Sequence, residues 1–237
     1  MAAGTDAYDY VVVGAGAAGS VVAARLAERG ASVAIVEAGG PDRNILFHIP
    51  AGFARLIKDK RFNWGDEAGP EPALNGRSIT WPRGKVLGGS GSINGLVFLR
   101  GWAGDFDHWR DLGATGWGYE DVLPYFKRFE TLLANDCDPE FHGYDGPISV
   151  SRIETPSRVA QAFVVAAIEC GYPHNRDFNG RDLLGVGLHF LNTRNGLRST
   201  TARGHLLPAL RRHANLNLLL RHHVERIDFD GNRATGI

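Results

Sequence analysis

The 237 residues suffice for one large domain or two small ones, and at 43% hydrophobic and 22% charged they can bury a real core. Lys+Arg and Asp+Glu stand at 26 each, so there is no basic footprint for nucleic acid, and no apolar run is long enough to span a bilayer. Met1-Ala2-Ala3-Gly4-Thr5-Asp6 has no secretory-signal pattern, and Cys137 and Cys170 have no metal-ligand spacing; the expectation is a cytoplasmic protein with two reduced thiols and no metal site.

Tyr10–Val13 reads as a buried parallel strand. The glycines of Gly14-Ala15-Gly16-Ala17-Ala18-Gly19 then open a helix through Val21, Val22, Ala23 and Leu26 that stops at Gly30. A second apolar run, residues 33–36, ends at Glu37, twenty-one positions after Gly16. Glycines also mark ordinary tight turns. Here the strand, turn, helix, strand and acid follow in the order of a dinucleotide-binding βαβ unit. Gly14 permits the tight turn, Gly16 lets backbone approach a pyrophosphate, and Gly19 lets helix and strand pack closely. The helix N-terminus offers unpaired N–H groups to the anion, and Glu37 can accept hydrogen bonds from a ribose diol. The motif alone leaves NAD and FAD both open.

After Glu37, Ala38-Gly39-Gly40-Pro41 breaks the structure, and a loop-rich stretch follows. Asn75-Gly76 predicts a hairpin turn, flanked by Leu74 on one side and Ile79 and Trp81 on the other. From Trp81 to Gly95, five glycines and two serines alternate with single apolar residues. That composition suits a loop pressed against a large flat ligand, where backbone comes close only if side chains are absent. A flexible linker would waste Val86, Leu87 and Ile93 in solvent, and residues 94–99 continue as a buried element.

Residues 105–112, with Phe106 and Trp109, and 120–130, with Val122, Leu123, Tyr125, Phe126 and Phe129, read as two aromatic helices; their stripes are taken as packing rather than as a ligand cage. Pro156 opens a helix over residues 157–170, ended by Gly171, with Val159, Ala162, Phe163, Ala166 and Ala167 on its apolar face. A helix over 199–212 is interrupted at Pro208. A strand follows at Leu216–Leu220, then a hairpin of residues 224–229 and 233–237 about the turn Asp230-Gly231-Asn232. His222 and His223 are neighbours on a strand in this reading, so they point to opposite faces and share no ligand.

The chain resembles the N-terminal part of the glucose–methanol–choline (GMC) oxidoreductases, a family of FAD-dependent alcohol oxidases and dehydrogenases. The resemblance rests on Gly14–Gly19 as spelled out above, Glu37-Ala38-Gly39, and the signature Arg83-Gly84-Lys85-Val86-Leu87-Gly88-Gly89-Ser90. Further matches are Asn94-Gly95, Arg100-Gly101, Asp107-His108-Trp109, the run Gly116-Trp117-Gly118-Tyr119-Glu120-Asp121-Val122-Leu123-Pro124-Tyr125-Phe126, His142-Gly143 with Asp145-Gly146-Pro147, Asn179-Gly180, and Gly185-Val186-Gly187.

The resemblance implies an α/β fold: a Rossmann-like FAD-binding domain with a parallel sheet and β-meander, into which part of a substrate domain is inserted. It divides the chain into a first FAD-domain segment over 1–150, a partial substrate domain over 151–198 and a return to the FAD domain over 199–237. FAD contacts are implied for Gly14, Gly16, Ala17, Ala18, Gly19, Glu37 and Ala38. Others are implied for Arg83, Gly84, Val86, Gly88, Gly89 and Ser90, for Asn94, Gly95, Leu96 and Val97, and for the backbone of Val224 at the adenine. Some members attach FAD to a histidine just before the asparagine; here Ile93 stands there, so non-covalent binding is expected. Gly91 stands where serine is common. The implied reaction oxidises a small-molecule alcohol to an aldehyde or ketone by hydride transfer to flavin N5, with oxygen or a quinone as acceptor. The family's catalytic histidine lies beyond the position of Ile237, so the chain is expected to be a C-terminally truncated fragment with no catalytic residue of its own and little activity alone. A FAD-holding lyase of the same fold and a catalytically silent flavin-binding chain are the alternatives; an NAD-only dehydrogenase leaves the glycine–serine loop without a role.

Overall fold

The computed structural model describes residues 7–237. Its principal elements are β1 (Tyr10–Val13), α1 (Ala17–Glu28), β2 (Val33–Glu37), α2 (Ala103–Asp111), α3 (Tyr119–Phe129), β3 (Glu130–Leu132), β4 (Ile148–Val150), α4 (Arg158–Glu169), α5 (Leu207–Arg212) and β5 (Leu216–Leu220). They fall into two compact units. The first contains the described residues up to Gly95 together with Thr200–Ile237, and the second is Leu96–Ser199. Among the described residues, no helix is long and apolar enough to cross a membrane.

The first unit is built on a parallel sheet of order β1-β2-β5, with Tyr10 and Leu216 both in register with Val33. The central strand β2 is buried along its whole length. The buried side of α1 is Ser20, Ala23, Ala24 and Ala27, all small, so the helix sits close on Val33, Ile35 and Leu216, and Leu206 and Ala209 complete that core. The closest approach is at Gly19, where a Cβ would lie 2.0 Å from the Gly14 carbonyl oxygen.

Several sequence expectations need correction. β1 is an edge strand: Tyr10 is 50% and Val13 53% exposed, because among the described residues only β2 pairs with it. The helix around Pro208 runs from Thr201 to Arg212, and its α-helical pattern is broken just before the proline by a π-helical stretch, Ala202–Leu206, that leads directly into α5. The final hairpin is shorter than expected, Asp228–Asp230 against Arg233–Gly236, and leaves Val224 outside any strand. The Asn75-Gly76 turn is present, with both residues at positive φ, and it brings Asp66 opposite Trp81.

In the second unit, β3 and β4 pair in parallel beside a small core of Leu132, Ala134, Val150 and Phe190. The aromatic rings pack in part: Phe106 meets Trp109 and Phe126 edge-on, with centroids 5.3 and 5.6 Å apart, while Trp109 and Tyr125 stay exposed. The 94–99 stretch is not a buried element, since only Leu96 in it is buried; Val97–Phe98 pairs with Phe190–Leu191 at one edge. Helix α4 is capped by the Ser157 hydroxyl, which accepts from Ala160 N–H at 3.2 Å, so Pro156 lies just before the cap. Its apolar residues are not buried either, with Val159 80% and Phe163 69% exposed.

Gly19→Ala should lower stability by about 1–3 kcal/mol through overpacking, against which helix propensity offsets at most about 1 kcal/mol. Gly69→Ala, where an added Cβ meets nothing within 4 Å, should change it by less than about 0.5 kcal/mol. Urea unfolding of the two variants side by side checks this; equal midpoints would show that the Gly14 carbonyl yields without cost.

Candidate functional site

The C-terminal ends of β1, β2 and β5 open on a cavity of about 550 Å³ in the first unit, within the roughly 300–1,000 Å³ usual for ligand and cofactor sites. Ligands of open α/β sheets bind at this end of the strands. The strand β1 runs into Gly14, whose φ of 92° turns the chain sharply. Gly16 then caps α1 without any side-chain hydrogen bond, and the first turn of α1 carries no acid. The uncapped N–H groups at this end make it a natural seat for an anion.

Glu37, at the end of β2, is 5% exposed and bridges two backbone segments. One carboxylate oxygen accepts from Ala15 N–H at 2.9 Å and the other from Gly39 N–H at 2.8 Å. The glycine turn and the Ala38-Gly39 turn are therefore held by one side chain. A carboxylate has about four acceptor positions, so these two bonds leave capacity for ligand hydroxyls.

The glycine–serine loop meets the same turn from the other side. Gly88 N–H donates to Ala15 O at 2.8 Å, and Leu87 N–H to Gly40 O at 2.9 Å. A Cβ on Gly89 would lie 2.8 Å from Gly16 Cα, so backbone meets backbone here. The segment after β5 closes the circuit: Arg221 N–H donates to Gly39 O and His222 N–H to Glu37 O, at 2.9 and 3.0 Å.

Of the residues singled out from the sequence, Gly14, Gly16, Ala17, Glu37, Ala38, Arg83, Gly84, Gly89, Ser90 and Val224 line this cavity. Ala18 and Gly19 lie further along α1, and Val86 and Gly88 are buried behind the loop, outside the lining. Asn94 and Gly95 are exposed and also outside it, while Leu96 and Val97 belong to the second unit. Ile93 faces a core instead, 1% exposed among Phe47, Leu56 and Val86.

The wall also contains Trp64, Asp66, His222 and His223, which sequence reasoning missed. The two histidines stand after the end of β5, where Arg221 has a positive φ of 62°, so the strand alternation expected to separate them does not apply. Both line the cavity, and the His223 ring meets the edge of Trp64 at 5.4 Å. Lys85 Nζ sits 4.5 Å from the centre of the Trp64 ring. A lone Trp-Gly pair in a loop-rich stretch offers no periodic signal that would have marked it.

Residues 8–237 match the family model described as GMC oxidoreductase. An oxygen-dependent choline dehydrogenase of Sinorhizobium medicae is 44% identical over 230 residues, covering 97% of this chain and 41% of that protein. One from Vibrio vulnificus is 42% identical, with the same coverage. The chain thus spans about two-fifths of the length of these relatives. Among solved structures, pyridoxine 4-oxidase from Mesorbium loti superposes with a TM-score of 0.88 at 32% identity, covering 94% of this chain and 44% of that one. An FAD-dependent oxidoreductase from Chaetomium thermophilum gives 0.87 at 29% identity, covering 96% and 41%.

Removing the Glu37 carboxylate strands two backbone donors. Glu37→Ala should destabilise the protein by about 1–3 kcal/mol, the usual cost of leaving a buried partner unsatisfied, and Glu37→Gln, which keeps one good acceptor, by less. Urea midpoints without ligand measure this. An unchanged midpoint in Glu37→Ala would mean that the turn holds itself.

Proposed function

The chain belongs to the GMC oxidoreductase family, and on that premise we propose that its glycine-lined cavity holds FAD and that the enzyme it forms oxidises the CH–OH group of a small alcohol. The observation that carries this reading is the uncapped N-terminus of α1, closed over by Gly89 and opening into the same cavity as the Glu37 carboxylate. A nucleotide with a pyrophosphate and a ribose diol fits that pair of features, donors for the anion and an acceptor for the hydroxyls.

Each group has an assigned task. The backbone of Gly14, Gly16 and Ala17, with Ala18 and Gly19 behind, takes the pyrophosphate; Glu37 and Ala38 take the adenosine ribose; the Val224 backbone takes the adenine. Arg83, Gly84, Gly89 and Ser90 brace the flavin, with Val86 and Gly88 supporting them from the buried side. For Asn94, Gly95, Leu96 and Val97 the assignment rests on the motif match alone. In functional terms, residues 1–150 and 199–237 serve the FAD domain and 151–198 the substrate domain.

When bound, the flavin supplies a hydride acceptor at N5. No residue of this chain is assigned as the base that takes the hydroxyl proton, a role that must be filled within hydrogen-bond reach of the substrate. The burial of Ile93 in an apolar core supports non-covalent binding, since no nucleophile stands at that position. Choline, the alcohol in the relatives' names, is the first substrate to test, with oxygen or a quinone as acceptor and a cytoplasmic setting.

Three outcomes are expected. Acid precipitation of the FAD-loaded chain should release all the flavin, and a yellow washed pellet would refute non-covalent binding. Charge-assisted hydrogen bonds are about twice as strong as neutral ones, so Glu37→Gln should weaken FAD affinity about tenfold by calorimetry; unchanged affinity would remove the ribose assignment. In a chimera joining this chain to the remainder of the Sinorhizobium choline dehydrogenase, anaerobic choline or another small alcohol should bleach the flavin. Absence of bleaching with every alcohol tried, in a flavin-loaded chimera, would reject the oxidoreductase reading.

A further inference from the structure

Three of the matched motifs, Arg100-Gly101, His142-Gly143 and Asn179-Gly180, have no part in the cavity; they converge within the second unit. Arg100 Nη2 lies 2.6 Å from Glu130 Oε1, and the same oxygen is 2.7 Å from His142 Nδ1. The other ring nitrogen, Nε2, is 2.8 Å from Asp177 Oδ2. The side chains of Arg100, Glu130, His142 and Asp177 are 3%, 0%, 0% and 18% exposed. Backbone donors add to both carboxylates, Gly143 N–H to Glu130 Oε1 at 3.1 Å and Asn179 N–H to Asp177 Oδ1 at 3.0 Å, while Glu130 Oε2 is buried without a hydrogen-bond partner among the described residues.

A neutral imidazole has one N–H and one lone pair. With a carboxylate at hydrogen-bond distance from each nitrogen, a lone pair on either would face an oxygen lone pair. Each contact is favourable only if a proton lies in it, and with both carboxyls held below their ordinary range it is the ring that carries both. The charges then alternate along Arg100, Glu130, His142 and Asp177 and sum to zero; without that proton, the buried row would carry an uncompensated negative charge, which is costly.

We propose that His142 is an imidazolium that clamps the second unit, fastening β3 through Glu130 and the loop carrying Asn175, Asp177 and Asn179 through Asp177, and that this clamp loosens as pH rises. Asn179 extends it, since its side chain accepts from Arg100 N–H at 2.9 Å and donates to Phe98 O at 3.0 Å.

A metal ion is the competing occupant, because Cys137, His142 and Asp177 offer ligand atoms within 4.8 Å of one another. Tetrahedral ligands at about 2.0–2.2 Å from zinc stand more than about 3 Å apart. His142 Nε2 and Asp177 Oδ2, 2.8 Å apart, are closer than that and lie at hydrogen-bond distance from each other.

The surroundings set the sign. Burial works against the charged ring, but the bonds to Asp177 and Glu130 and their charges outweigh it, holding the His142 pKa above its ordinary value. Burial pushes the Glu130 and Asp177 carboxyls up, and their hydrogen bonds to His142, with Arg100 beside Glu130, bring them below the ordinary range. Nearby, burial raises Tyr119, Tyr144 and Cys137, the last to about 11, so none of them titrates near neutrality. The face of the ring is met by Phe190, edge-on at 6.3 Å. The His142 contribution is thus complete below the unfolded value of about 6.5 and lost as pH rises through the folded one. The carboxylate contributions are present above about 4 and lost as pH falls through their lowered values.

The test uses the 237-residue chain with ring-labelled histidine, followed by NMR and urea unfolding between about pH 6 and 8.5. One histidine, missing from His142→Gln, should keep both ring protons at pH 7.5. Above about pH 6.5 the folding equilibrium constant should fall by up to about tenfold per pH unit, and Asp177→Asn should flatten that slope. If His142→Gln does not fold, the signal is assigned from its shift in Asp177→Asn. A neutral His142 at pH 7, or an unchanged slope in Asp177→Asn, overturns the clamp. So does stabilisation by equimolar zinc that Cys137→Ala abolishes, which would install a metal site instead.

Discussion

The first unit depends on one carboxylate that never leaves its own backbone. By accepting from Ala15 and Gly39 at once, Glu37 fixes the turn after β1 relative to the turn after β2. Everything else that shapes the cavity is attached to those two turns: the glycine–serine loop through Ala15 O and Gly40 O, and the segment after β5 through Gly39 O and Glu37 O. Because the other two segments are joined to those turns by backbone hydrogen bonds, the positions of Gly16 and Gly89 follow from the sheet and the one carboxylate that braces it. A site that must present bare backbone to a ligand needs this kind of support, since it has few side chains with which to brace itself.

The motif was legible because its glycines act locally. Gly14, Gly16 and Gly19 each meet a steric demand set within a few residues, and the acid sits at a distance fixed by one helix and one strand. The same holds for Asn75-Gly76. What the sequence concealed depended on partners elsewhere. Four apolar residues in β1 are indistinguishable from a central strand until the sheet order puts them at an edge. His222 and His223 were placed on a strand by the apolar run before them, whereas β5 ends at Leu220 and Arg221 turns the chain. Trp64 reaches the cavity from a loop with no periodicity at all.

The second unit shows the opposite balance. Its matched motifs were visible as glycine-containing pairs, but nothing in their spacing said that the residues before the glycines would meet. Arg100, His142 and Asn179 are brought together by β3 and two loops. The glycine in one pair has a clear part: a Cβ on Gly143 would run into the Lys127 carbonyl, so the turn that lets Gly143 N–H reach Glu130 tolerates no side chain.

Glu37 and Glu130 are both buried glutamates that end or begin a strand, yet their partners give them different capacities. Glu37 is held by neutral backbone donors and lies on a cavity wall, with no ion pair to it among the described residues, so its remaining acceptor capacity is available to a ligand in the cavity. That favours an added hydroxyl or amide donor, because each new bond relieves a partly desolvated charge. Glu130 is balanced by Arg100 and His142 at one oxygen and is fully enclosed, so a ligand could reach it only by opening the packing around a buried ion pair. Breaking such a pair costs more than one hydrogen bond restores. Support by backbone donors thus leaves a carboxylate open to binding, and pairing with buried cations closes it into the structure. The fold uses one arrangement in each unit.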